Sequence, residues 1–185
     1  METEHYNSQA GQDKFILNVL KNKKNGFFVE IGSQDPININ NTYILETKFD
    51  WKGIMIEIDQ RWLNSYKEKR PDSIHIIQDA TKIDYLNLFK NNNVPKNCDY
   101  LQIDIEAIDG STLNALLQFE KVMSEYKFAT VTFEHDVYRK NQKKEYEKTC
   151  LDTHRISREI FGRYGYIRVF SDVNNFEDWY VHPDL

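Results

Sequence analysis

Apolar residues in this chain come in short runs that stop at a glycine or an acid. Residues 27–31 (Phe-Phe-Val-Glu-Ile) follow Gly26 and stop at Gly32. Residues 53–58 (Gly-Ile-Met-Ile-Glu-Ile) follow Trp51 and stop at Asp59, and residues 73–77 (Ser-Ile-His-Ile-Ile) give way to Asp79. Residues 100–104 and 128–133 complete a set of five. Runs this short, rich in β-branched and aromatic side chains, predict strands. Longer amphipathic stretches predict helices at 40–49, 61–70, 83–90, 111–119 and 149–164, and one more at 9–20 ahead of the first strand. Pro71 marks the end of one of them. The Asp109-Gly110-Ser111 entry supplies N-cap candidates for another. Strand–helix alternation predicts an α/β, doubly wound, mostly parallel sheet of the Rossmann-like kind, with helices on both faces. The last two extended runs, 165–170 and 176–181, are joined by 171–175 with no helix between them, and so predict a closing antiparallel hairpin.

At 185 residues the chain reads as one domain, with the first 25 residues a helical segment packing on it. No apolar run approaches the roughly 20 residues of a membrane span. The acidic, polar start does not read as a signal peptide. Two cysteines without a Cys-x-x-Cys pair exclude a disulfide framework and a thiolate zinc site, so a reducing, cytoplasmic setting is the expectation. A net charge of −5 argues against a broad basic face for nucleic acid. The expected partner is therefore neither nucleic acid nor membrane, and the oligomeric state stays open.

In a doubly wound sheet, ligands bind beyond the carboxyl ends of the strands. Here every strand delivers acids to that rim: Glu30 and Asp35, Glu57 and Asp59, Asp79, Asp104 and Glu106, then Glu134 and Asp136 around His135. Gly32 allows a sharp turn and a close ligand approach. Glu57, 25 positions further on, suits a grip on ribose hydroxyls, against the alternative of a solvated strand-end acid. The turn is Gly-Ser-Gln-Asp-Pro and lacks the second and third glycines of a dinucleotide fingerprint. That disfavours a pyrophosphate, and with it a nicotinamide dehydrogenase. A ligand with ribose and adenine but no phosphates fits better, and S-adenosylmethionine is of that kind. Asp79 is placed to accept from the adenine amino group or, equally, to cap the turn after its strand.

The ordered fragments Ser8-Gln-Ala-Gly-Gln-Asp13, Phe28-Val-Glu-Ile-Gly32, Asn41-Thr-Tyr43, Trp51-Lys-Gly-Ile54, Asp99-Tyr-Leu-Gln-Ile-Asp-Ile-Glu106, Thr132-Phe-Glu-His-Asp136 and Phe176-Glu-Asp-Trp-Tyr-Val-His-Pro183 resemble the small form of the FkbM-type methyltransferases across nearly the whole chain. The resemblance implies a class I S-adenosylmethionine-dependent methyltransferase fold, seven-stranded with an antiparallel last strand. It also implies O-methylation, often of sugars or glycans. It puts Glu57 on the ribose, Asp79 near adenine, and Glu30, Gly32 and Ser33 along the methionine part. Gln9, Gln12 and Asp13 go to the cofactor or acceptor mouth, although Gln12 and Asp13 equally suit capping of the first helix. One departure is local: the family commonly has Glu-Gly where this chain has Glu106-Ala107.

Methyl transfer to a hydroxyl needs an in-line acceptor oxygen, a destination for its proton and stabilisation of its developing charge. Two readings of the acids at the fourth and fifth strand ends compete. In one, Asp104, Glu134 and His135 ligate a divalent cation such as Mg²⁺ or Mn²⁺, which oxygen-rich ligands with one imidazole would suit. In the other, His135 is the general base, held by Glu106 or Asp136, with Asp104 beside it. A non-catalytic adenosine- or sugar-binding module, and a methyltransferase of a non-carbohydrate small molecule, are the alternative functions. Trp179 and His75 read as core residues, and Cys98 and Cys150 carry no nucleophilic role.

Overall fold

The computed structural model describes residues 6–170 and 175–185; most of the expected hairpin connection at 171–175 lies outside them. The strands are β1 (Phe27–Ile31), β2 (Lys52–Glu57), β3 (Ile74–Ile77), β4 (Asn97–Ile103), β5 (Lys127–Glu134), β6 (Ile167–Val169) and β7 (Glu177–Val181). The helices are α1 (Gln12–Val19), α2 (Tyr43–Phe49), α3 (Leu63–Lys69), α4 (Tyr85–Asn91), α5 (Ser111–Phe119) and α6 (Lys144–Arg163). Among the described residues the sheet order is β3-β2-β1-β4-β5-β7-β6. The first five strands pair in parallel. β7 enters antiparallel between β5 and β6, so the expected hairpin is present, with its second strand inserted inward. α6 starts five residues earlier than the periodicity suggests, because the Lys/Glu-rich run ahead of residue 149 is already helical on its solvated side.

Side-chain alternation gives the sheet two unlike faces. Val29, Ile31, Leu101, Ile103, Val131 and Phe133 point to one side, where α4, α5 and α6 bring Phe89, Phe119 and Phe161 onto them. Phe28 and Tyr100 point to the other, beneath Phe15 and Ile16 of α1, Leu45 of α2 and Tyr66 of α3. This second face turns polar toward the carboxyl ends. Glu30 pairs with Gln102, Gln102 with Thr132, and Glu134 with Glu177, and the cross-strand register puts all five on one side. Among the described residues, no helix is long and apolar enough to cross a membrane.

Candidate active site

β1 leads away to β2 on one side of the sheet and pairs with β4 on the other, so the connections leave the rim in opposite directions and open a crevice. Gly32 stands at its apex with φ +90°, and a Cβ there would lie 1.7 Å from the Asp104 carbonyl oxygen. No side chain fits, and the two strand ends touch through backbone alone. Two cavities meet at this point, sharing Gly32, Gln34, Asp104, Ile105 and Glu106.

The first cavity, about 390 Å³, lies over β1, β2 and β3 and is lined by Ile56, Glu57, Ile58, Asp79 and Ala80. Glu57 is buried, and its carboxylate accepts three backbone N–H groups: Gln34 at 2.9 Å, Ile58 at 2.8 Å and Asp59 at 2.9 Å. Those three donors fix the group that the sequence assigns to ribose, and Glu57 is not a free solvated acid. Asp79 also lines the cavity, and it caps the short turn Ala80–Lys82 through the Thr81 N–H and hydroxyl. The Lys82 ammonium, 2.7 Å away, and those hydrogen bonds bring its carboxyl down to about 2. The capping role expected of Asp79 is filled, and the carboxylate also lines the cavity.

The second cavity, about 480 Å³, lies over β1, β4 and β5, on the polar face of the sheet. Gln9, Gln12, Glu30 and Ser33 line it, with Asp104, Glu106 and Glu134 across from them. Burial raises the Glu30 carboxyl to about 7 despite the Arg70 charge and the bonds from Asn40 and Thr42. Asp104 and Glu134 form a hydrogen-bonded carboxyl pair; burial and mutual repulsion push Glu134 to about 10, and burial pushes Asp104 to about 6. The pair therefore shares one proton near neutral pH. The Thr112 hydroxyl also donates to Glu134, at 3.3 Å. Gln12 reaches across to Glu177, whose carboxyl burial raises to about 8.

Three expectations need correction. His135 lines neither cavity. Neighbours along an extended chain point to opposite sides, so where Glu134 faces the crevice, His135 turns under α6, 1% exposed, with its ring 4.6 Å from that of His154. It is not positioned as a base for a ligand in either cavity. Nor do Asp104, Glu134 and His135 converge as a cation site. Among the described residues, the ligand atoms close enough to share an ion belong to His135, His154 and Asp178. That set does not fit a cation. Val137 N–H donates to His135 Nδ1, which leaves the ring proton on Nε2. Arg158 grips both oxygens of Asp178 at 2.6 and 2.9 Å, and Arg168 lies at 3.3 Å. Finally, Asp13 sits at no cavity mouth: it is buried and accepts from the Asn7, Ser8 and Lys14 N–H groups, the capping role.

Sequence reading gave no role to several groups that build the second cavity. Arg70, read only as a helix end, is fully buried. It donates to Glu46 at 2.8 Å, Asn40 at 2.9 Å, Thr42 at 2.7 Å and the Pro36 carbonyl at 3.3 Å, pinning the 34–42 loop that roofs the cavity. Asn40 and Asn41 read as the start of the helix expected at 40–49, which begins only at Tyr43. Gln102 and Glu177 did leave a signal, each being a polar residue within an otherwise strand-like run.

No family model matches the sequence, and no curated protein does. Solved structures do share the fold. A putative caffeoyl-CoA O-methyltransferase from Staphylococcus aureus superposes with a TM-score of 0.66 at 14% identity, over 95% of this chain and 84% of that one. An O-methyltransferase from Bacillus cereus, solved in complex with SAH, gives 0.62 at 14% identity over 97% and 84%. A TehB-like SAM-dependent methyltransferase from Corynebacterium glutamicum gives 0.54 at 10% identity over 98% and 90%. The chain therefore has the Rossmann-like fold of the S-adenosylmethionine-dependent methyltransferases.

Proposed function

We propose that this chain is an S-adenosylmethionine-dependent O-methyltransferase of the small FkbM type, acting on a hydroxyl of a sugar or glycan. The observation that carries the cofactor assignment is the Glu57 carboxylate, held on three backbone N–H groups beside a glycine that admits no side chain. Adenosine fits the first cavity, with Glu57 on the ribose hydroxyls and Asp79 toward the base. The methionine part then enters the second cavity past Gly32, Ser33 and Glu30. The bound cofactor supplies an electrophilic methyl group on a sulfonium centre.

The acceptor belongs in the rest of the second cavity. Its carboxamides, from Gln9, Gln12, Asn38, Asn40, Asn41 and Gln102, both donate and accept, which is the chemistry that orients a polyol. Held there, the cofactor would give its methyl group to the acceptor oxygen and leave as the neutral thioether, so the proton of the acceptor hydroxyl needs a destination in this chain. The Asp104–Glu134 pair, with one of its two carboxyls ionised, takes the hydroxyl proton. Glu106 stands beside it, at the junction of the two cavities.

Calorimetric titration with S-adenosylhomocysteine tests the cofactor reading. Tight binding is expected for the wild type, with Glu57→Ala weakening it by about 10- to 100-fold, the worth of hydrogen bonds to a charged group. Silence with the wild type, or undiminished affinity in the variant, removes the assignment.

A further inference from the structure

The second cavity is short of positive charge. Glu30, Asp35, Asp104, Glu106 and Glu134 line it against one cation, Arg139. Arg139 is already committed, its Nε 2.9 Å from Asp136 and its Nη1 3.5 Å from Glu106. Even with one proton on the Asp104–Glu134 pair, carboxylates outnumber the guanidinium. The cavity is also short of a donor. Asn41 lines it and is only 3% exposed; its Nδ2 donates to Gln102 at 2.8 Å, yet its Oδ1 is buried without a partner. A buried amide oxygen left unpaired is costly unless a ligand supplies the missing hydrogen bond. An ammonium group answers both deficits, giving one positive charge and three N–H donors on a compact head.

We propose that the acceptor is an aminated polyol, such as an amino sugar, whose ammonium group sits among the carboxylates of the second cavity with Asn41 Oδ1 as one of its acceptors, next to the hydroxyl that is methylated. The proposal rests on the reading of this crevice as a methyltransferase site. It sets this chain apart from catalysts of polyanionic acceptors, because a phosphate brought to this cavity would meet carboxylates with no free cation to offset them. The cofactor carries an ammonium of its own, so the acceptor's contribution is measured with the cofactor product already in place.

The experiment titrates protein saturated with S-adenosylhomocysteine with glucosamine and, separately, with N-acetylglucosamine, which keeps the polyol and removes the charge. Glucosamine is expected to bind at least about fivefold more tightly at pH 7. The preference is expected to fall toward one in Glu106→Gln and in Asp35→Asn, two variants that remove charge at separate points, so that one misfolded protein does not decide the matter. Equal affinity, preference for the acetylated sugar, or binding of neither sugar to the saturated protein overturns the aminated acceptor. Failure of S-adenosylhomocysteine to bind at all overturns the cofactor reading instead.

Discussion

At the end of β2, Glu57 is followed by Ile58 and Asp59, and its carboxylate folds back onto their N–H groups. At the end of β5, Glu134 is followed by His135 and Asp136, but their N–H groups both donate to the Phe176 carbonyl, at 2.7 and 2.8 Å. Each strand thus ends on an acid that lines the crevice, and the two acids differ in where the next two N–H groups go. β2 runs beside β3, a parallel neighbour, and its chain is free to turn over the rim. β5 runs beside β7, an antiparallel strand whose entry captures the backbone that would otherwise serve the acid. The first acid receives three backbone donors; the second is left with a hydroxyl and another carboxyl, with which it shares a proton. Backbone pairing, together with burial, in this way divides a rim of similar acids into a fixed anchor and a proton-sharing pair.

Breaking the anchor end has the largest expected effect. Gly32→Ala puts a methyl group onto the Asp104 carbonyl and strains a residue at φ +90°. A loss of about 2–4 kcal/mol in urea unfolding is expected, with calorimetric silence toward S-adenosylhomocysteine; a variant that binds like the wild type would mean the strand ends are not in contact. The acid-rich end shows itself in pH dependence. The folded chain holds protons on Glu30, Glu177 and Glu134 up to about 7, 8 and 10, against 4.5 for an ordinary glutamate. Between 4.5 and those values the folded state binds more protons than the unfolded one, so stability falls as pH rises. Glu30 alone is worth on the order of 3 kcal/mol across its window, and thermal midpoints from pH 5 to 8 should decline in the wild type and less steeply in Glu30→Gln, where Glu177 and Glu134 still titrate. A flat wild-type profile would contradict the burial of these acids. The smallest effect is assigned to His135→Gln: affinity for S-adenosylhomocysteine within about twofold of the wild type, with any loss confined to stability, about 1 kcal/mol for a disturbed buried polar contact. A binding defect comparable to that of Glu57→Ala would return His135 to the crevice.

The architecture was legible because short β-rich runs and intervening amphipathic stretches are local signals, and each of the five parallel strands formed within a few residues of its expected bounds. The anchor was legible too, since a glycine and an acid at consecutive strand ends follow from topology. The proton-sharing pair was harder to see. Treating Glu134 and His135 as one ligand set overlooked that an extended chain shows only one of them to a given face. The roof was not legible at all: nothing local in Arg70 says that it reaches back more than 20 positions to Glu46, Thr42, Asn40 and Pro36. Buried polar knots are products of tertiary packing, and their members look like loop and helix-end residues until the chain has closed.

That arginine has a consequence for how acceptor preference can drift among related chains. Asn40 and Thr42 are tied by their side chains to one buried guanidinium, and Pro36 by its carbonyl, so changing either side chain costs that guanidinium a hydrogen bond in the interior. Asn38 and Ile39, which project from the same loop into solvent at the edge of the second cavity, share none of that obligation. Under the proposed function, acceptor range is free to diversify at two adjacent positions while the scaffold around them stays put, and a designer seeking new acceptors would randomise those two first.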